Sequence, residues 1–264
     1  MLRTSPESYV SNRLMWITPN RSFYTGLLGV PSQRSIGSVI VYVAVEGNIR
    51  VRIGDGAWES AQMAVVPPYT PHWVLAEARQ INTINIEAEA VDLAALPEVL
   101  RGQGAVDAPW FVEHVRACQR MLCGSDVDLA AIDFDELFFS TALAPRRMDR
   151  RIEAVVQAIQ RDPSAPLSAE TCARMAGLSY SRFLHLFKQE AGMPFRIFRT
   201  WKRARGMLHY VNQKSNLTRV ALDTGYPDST HFSHSIRQIY GLKPKDIFAG
   251  SRRLTVYAQH AAPC

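Results

Sequence analysis

No apolar run in the chain is long enough to cross a membrane. The longest, Val39 to Val45, is seven residues, against the roughly 20 that a spanning helix needs. Residues 1–7 hold no apolar segment of the secretory kind, so a cytoplasmic location is expected. Cysteine is scarce. Cys118, Cys123, Cys172 and Cys264 show neither zinc nor disulfide spacing, and in a reducing compartment they read as small apolar or surface residues. The sequence contains no P-loop, no Gly-x-Ser-x-Gly and no His-Glu-x-x-His. His72 is the only histidine in the first 113 residues, and one imidazole cannot make a three- or four-ligand metal site. His72 therefore reads as a structural hydrogen-bonding residue. No catalytic residue, metal or cofactor is expected.

What is present is 264 residues of globular composition, 47% hydrophobic and 20% charged, enough for two domains. The charge is divided. Residues 1–145 hold 10 Lys and Arg against 16 Asp and Glu, a balance of −6. Residues 146–264 hold 20 against 8, a balance of +12. This split suggests a polyanion partner for the second part only. Charge alone leaves DNA, RNA, an anionic membrane and a merely solvated surface open.

Residues 35–90 read as β-structure. Val39 to Val45 is a buried strand rich in β-branched residues. Ile49 to Ile53 alternates strictly, and Asp55-Gly56 signals a hairpin that returns through Trp58 to Val66. A proline-stiffened turn over 67–71 precedes strands at His72 to Ala76 and Ile81 to Glu87. Short strands with tight turns favour a sandwich or small barrel. From about residue 91 the period becomes helical. Pro109 to Cys123 carries a stripe of Phe111, Val115, Cys118 and Leu122, which fits either core or a dimer seam. Asp133 to Ser140 is a short helix. The charge changes sign at 144–147, the expected junction. Met148, Ile152, Val155 and Ile159 then form a second stripe.

An internal repeat occupies 168–245. One copy runs Ala173, Gly177, Leu178, Ser179, then Phe183, Phe187 and Gly192. The other runs Ala221, Gly225, Tyr226, Pro227, then Phe232, Ile236 and Gly241. The spacings match except for one residue in the turn. The alanine lets two helices approach, and the glycine turns the chain with a left-handed residue. Ser179 and Asp228 cap the following helix, and the paired apolar anchors bury it. Each copy is a helix-turn-helix whose second helix can enter a major groove. Between them Phe195 to Val211 forms a helix on which Arg196, Arg199 and Arg203 share a face, suited to phosphate contact.

The stretch from Leu167 to Ser179 with Phe183, Phe187, Gly192 and Met193, and the stretch from Ala221 to Ser233 with Tyr240 to Pro244, resemble the AraC/XylS-type DNA-binding domain. The resemblance spans about a third of the chain. It implies seven helices, two helix-turn-helix units joined by a linker helix, double-stranded DNA as partner, and transcription control, usually activation, with contact to RNA polymerase. His185 and His234 stand where the family commonly has arginine, which points either to weaker phosphate or guanine contacts or to a different target sequence. More weakly, Val43 to Gly47 and Val65 to His72 resemble a cupin-type sensory barrel. An α+β chain is expected: a cupin-like barrel over 1–90, a helical connector or dimerisation region over 91–145, an all-α DNA-binding domain over 146–252 and a tail over 253–264.

Matched position by position, Ser181, Arg182, Leu184, His185 and Lys188 project from the first recognition helix. Ser229, Thr230, His231, Ser233, His234 and Arg237 project from the second. Residues near each helix N-terminus are expected at base edges and later cations at phosphates. In the barrel, a small-molecule effector is expected. If Ile49, Val51 and Ile53 face inward, the effector is apolar or aromatic and lies among Tyr42, Trp58, Tyr69, His72 and Trp73. If Arg50 or Arg52 faces inward, it is anionic, because an isolated buried cation is costly. A homodimer is left open. The competing functions are a cupin metalloenzyme tethered to a DNA-binding module and a regulator answering to a partner protein. An alkylation-repair methyltransferase would need a reactive cysteine; Cys172 sits on a helix expected to be packed, and Cys264 has no catalytic motif after it.

Overall fold

The computed structural model of the chain describes residues 13–124, 127–213 and 216–259, so Cys264 lies outside the described residues. Nine strands come first: β1 (Leu14–Ile17), β2 (Arg21–Leu27), β3 (Ser38–Ala44), β4 (Ile49–Ile53), β5 (Glu59–Ala61), β6 (Met63–Val66), β7 (His72–Ala76), β8 (Gln80–Glu87) and β9 (Gly104–Val106). Helices α1 (Pro109–Leu122) and α2 (Phe134–Phe139) follow. The C-terminal region holds α3 (Arg150–Arg161), α4 (Ala169–Met175), α5 (Tyr180–Ala191), α6 (Phe195–Gly206), α7 (Leu217–Asp223), α8 (Ser229–Tyr240) and α9 (Pro244–Gly250), and ends in strand β10 (Thr255–Ala258).

The strands form a seven-stranded sheet, ordered β10-β1-β2-β8-β3-β6-β9, and a three-stranded sheet, β5-β4-β7. The period-2 rule explains how they stack. Ile40, Tyr42, Ala64, Val66 and Ile81 of the large sheet share one core with Ile49, Val51 and Val74 of the small one. Val39, Val41, Val43, Met63, Val65, Ile84 and Ile86 face the other way, under α1 and α2. Strand β3 is thus buried on both faces, which is why its sequence is apolar without alternation. The expected return strand over Trp58 to Val66 is two strands. The chain leaves the small sheet after Ala61 and enters the large one at Met63.

The stripe on α1 is core and not a subunit seam. Phe111, Val115, Cys118 and Leu122 are all buried against the large sheet. Arg21 fixes α2 to the same sheet through a two-pronged ion pair with Asp135, at 2.8 and 2.9 Å.

The helical region has two cores. Ile152, Val155, Ile159, Cys172, Phe183, Phe187, Phe195 and Phe198 form one of their own. Trp201, Ala204, Met207, Val220, Phe232 and Ile236 instead belong to the core that fills the barrel. Helix α6 therefore spans both, with its first turns in one and its last turns in the other. It ends at Gly206 and continues as a 3-10 turn over Met207–Tyr210, so the α-helix expected to reach Val211 is shorter.

Candidate nucleic-acid interface and sensor cavity

The two helix-turn-helix units are closed by the same hydrogen bonds. After α4 the Leu178 N–H donates to the Ala173 carbonyl at 2.9 Å; after α7 the Tyr226 N–H donates to the Ala221 carbonyl at 2.9 Å. Each is the six-to-one bond of a helix that ends on a left-handed residue. Gly177 and Gly225 supply that residue, with φ of +64° and +81°. At Gly225 a side chain is doubly excluded, because a Cβ would lie 2.8 Å from the Ser164 backbone. Ser168, Ser179, Asn216 and Asp228 cap α4, α5, α7 and α8 by accepting from backbone N–H groups one turn in. The expected caps Ser179 and Asp228 are both in place. Phe183, Phe187, Phe232 and Ile236 are fully buried.

On α5, Ser181, Arg182, His185 and Lys188 are exposed and Leu184 is half-buried. On α8, Thr230, His231, His234 and Arg237 are exposed, with Ser229 and Ser233 half-buried. Asp228 both caps α8 and holds the His231 ring, Nδ1 to Oδ2 at 2.8 Å. Hydrogen bonds from the His231 backbone, then from its ring, lower the Asp228 pKa. The His231 ring is thereby oriented with its other nitrogen free to face outward.

Of the three linker-helix arginines, Arg196 is exposed. Arg203 is half-buried. Arg199 is buried and donates to the Ala165 carbonyl at 2.8 Å; burial pushes its pKa down to about 10. The shared face expected from spacing is thus partly turned into the protein.

The seven barrel residues do not converge. Ile49 and Val51 face inward, so Arg50 and Arg52 face outward. They stack on Trp58 and Trp73: the Arg52 guanidinium lies 4.0 Å from the Trp73 ring centre and 5.3 Å from that of Trp58. This places Trp58 and Trp73 on the outer face, away from Tyr42, His72 and Tyr69. Tyr69 lies between barrel and helices, and its hydroxyl meets the Met193 sulfur at 2.6 Å. His72 is buried. Its Nδ1 lies 2.8 Å from the Thr70 carbonyl and its Nε2 lies 2.8 Å from the Tyr42 hydroxyl. A carbonyl can only accept, so the proton is on Nδ1 and Nε2 accepts from Tyr42. Burial lowers the His72 pKa to about 4. Both ring nitrogens are engaged, and among the described residues no group of three or more His, Cys, Asp and Glu could hold a metal.

A cavity of about 240 Å³ opens where the barrel meets the helices. Met15, Ser22, Tyr42, Thr83 and Asn85 line it from the sheet, and Met207, Tyr240 and Ile247 from the helical side. Arg34 reaches into it. The residue is 7% exposed, and its Nε and Nη2 have no hydrogen-bond partner among the described residues. Sequence reasoning missed Arg34, because it sits in an irregular segment with no period to flag it.

A helix-turn-helix domain model matches residues 172–250. The invasion protein InvF of Salmonella typhi is 31% identical over 72 residues, which cover 27% of this chain and 33% of that protein. An uncharacterized HTH-type transcriptional regulator of Haemophilus influenzae is 28% identical over 97 residues, 36% of this chain and 33% of its own. The chain thus spans about a third of the length of the curated relatives it matches. Apo ToxT of Vibrio cholerae shares the fold over 88% of this chain and 97% of that one, at a TM-score of 0.60 and 10% identity. A second ToxT structure gives 0.56. Fold and site together define a two-domain protein, a β-sheet module joined to a double helix-turn-helix reader. The C-terminal part is similar to the helix-turn-helix domain over residues 172–250, and the chain as a whole has the fold of ToxT.

Proposed function

We propose that this chain is a transcriptional regulator that binds duplex DNA through α5 and α8 and answers to a small molecule held at the barrel end. The duplicated, identically closed helix-turn-helix carries the reading, together with the exposed polar faces of both second helices in a segment of charge +12. Ser181, Arg182, His185, Ser229, Thr230, His231 and His234 read base edges, with Leu184 and Ser233 at the rim. Lys188, Arg196, Arg203 and Arg237 meet phosphates. Arg199 supports the turn before α4.

The effector sits in the cavity at Arg34, against Tyr42. Two unpaired buried guanidinium nitrogens call for an anion, and the rest of the lining is largely apolar, so the effector is a small anion with an apolar body. Walls from both domains let such a ligand favour one domain arrangement over another, as coupling requires. An activator of this kind also touches RNA polymerase, and a homodimer presents four readers. Control by a partner protein instead of a small molecule is the second reading, supported by the dense side-chain packing elsewhere in the barrel.

The test is binding-site selection with the full chain, followed by footprinting. The expected footprint is about 20 bp, with two protected major grooves about 10 bp apart and steep loss of affinity with salt. Protection of a single groove turn would count against two working readers.

A further inference from the structure

The C-terminal tail folds back to where the described chain begins. Strand β10 pairs in parallel with β1, from Leu14 opposite Thr255 to Ile17 opposite Ala258. The Thr255 N–H donates to the Arg13 carbonyl at 3.1 Å and the Gln259 N–H to the Ile17 carbonyl at 2.8 Å. The Gln259 side chain adds a bond to the Leu129 carbonyl at 3.1 Å. Val256 packs into the core shared by barrel and helices. The second helix-turn-helix is therefore tied to the barrel at its far end, where β10 begins shortly after α9 ends at Gly250.

Two further contacts hold it there. Lys202 pairs with Glu87 and Glu89, and Arg205 pairs with Glu87 at 2.8 Å. These two linker-helix cations are spent on sheet carboxylates. The Ser35 N–H also donates to the Ile239 carbonyl at 3.0 Å, which sets the barrel loop against α8. Between them lies a cleft of about 790 Å³, with Ser35, Gly37 and Tyr69 on one wall and Thr230, His231 and His234 on the other. The polar residues of α8 thus share this cleft with the part of the chain that carries −6, a wall that would also face the phosphates of a bound duplex. For α8 to seat in a groove, the barrel wall must move away.

We propose that β10 is a cis-acting clasp: it holds the second reader against the barrel in an arrangement that restrains DNA binding, and its release from β1 frees α8. A four-residue edge strand with no residue fully buried is short enough to detach and return. The first reader keeps its own core throughout, whereas α8 also gives up the contacts of Phe232 and Ile236 with the barrel core once β10 has let go.

The proposal rests on the reading that α5 and α8 bind duplex DNA, and two full-length variants test it. Thr255→Pro with Gln259→Pro removes the donors at the two ends of the strand. Met15→Cys with Val256→Cys, which face each other in the register, allows the clasp to be closed by oxidation and opened by reduction in one polypeptide. Affinity is read by fluorescence anisotropy on a duplex selected from a random pool by the wild-type chain. The double proline variant is expected to bind at least 5-fold tighter than wild type, and the oxidised cysteine pair at least 5-fold weaker than its reduced form. Hydrogen exchange should show β1 losing protection in the proline variant. Equal affinities in the oxidised and reduced forms would overturn the clasp and leave DNA binding standing. Absence of binding by every form would overturn the DNA-binding reading, and the clasp with it.

Discussion

Lys202 on the linker helix and Glu87 at the end of β8 form an ion pair whose side chains are 3% and 1% exposed. Burial alone would raise the Glu87 pKa. Lys202 and Arg205 outweigh it and hold the carboxyl below its usual range. The Trp201 indole N–H adds a bond at 2.8 Å. Removing one member of such a pair leaves a buried charge unmatched, which costs about 3–5 kcal/mol. Glu87→Gln should lower stability by that order in urea melts. Lys202→Met should cost at least as much, because it leaves both Glu87 and Glu89 without that cation. The sign with pH follows. A carboxyl depressed in the fold contributes its stability above its unfolded pKa of about 4.3. That contribution disappears as pH falls through the folded value. Wild type should therefore lose stability in acid below about pH 4 more steeply than Glu87→Gln.

His72 gives a second, separable pH effect. Its folded pKa is about 4 and its unfolded value about 6.5. Between those limits the unfolded chain binds more protons, so stability falls as pH drops from about 6.5 to 4 and is flat above. The full effect is no more than about 3 kcal/mol. His72→Asn should flatten this window. An unchanged slope between pH 4.5 and 7 would show that another group sets it.

Arg34 bonds to the Tyr42 hydroxyl but has no ion pair among the described residues, where Glu87 is matched. Arg34→Met should leave the melting temperature unchanged or raise it, because an unpaired buried cation is itself unfavourable. The same change should abolish stabilisation by small apolar carboxylates, seen as loss of their shift in scanning fluorimetry. A carboxylate that still raises the melting point of the variant would place the effector elsewhere.

For base readout, His231→Ala should relax sequence preference at one position of the selected site, by about 1–3 kcal/mol of discrimination. Binding-site selection with the variant would return an altered logo there and an unchanged one elsewhere. Asp228→Ala should relax the same position, since Asp228 orients the ring.

The reader was legible in the sequence because its signals are local. Ala173, Gly177 and Ser179, and Ala221, Gly225 and Asp228, each act within one turn of chain. The barrel was legible only as strands. Register is a non-local property, and it decided which aromatics face inward. Once Arg52 pairs opposite Trp73, parity puts both outside with Arg50, whatever the apolar character of tryptophan suggests. The linker helix held a clue that charge counting concealed. Phe195, Phe198, Lys202 and Arg205 follow 3, 4, 3 spacing, so two cations lie on the apolar stripe and demand buried partners. Strands β1 and β10 carried no such clue, because each is completed by a segment at the other end of the sequence.

That pairing bears on how the molecule is made. Strand β1 leaves the ribosome well before β10, with about 240 residues between them. At synthesis rates of roughly 5–20 residues per second, the outer edge of β1 stays bare for about 10–50 s. Its residues, Leu14 to Ile17, are wholly apolar, and an uncovered apolar edge is a template for wrong pairing. The nascent chain therefore passes through a period in which chaperone cover or rapid completion of translation decides its yield, and a ribosome stalled in the reader would leave a sheet with one side unfinished.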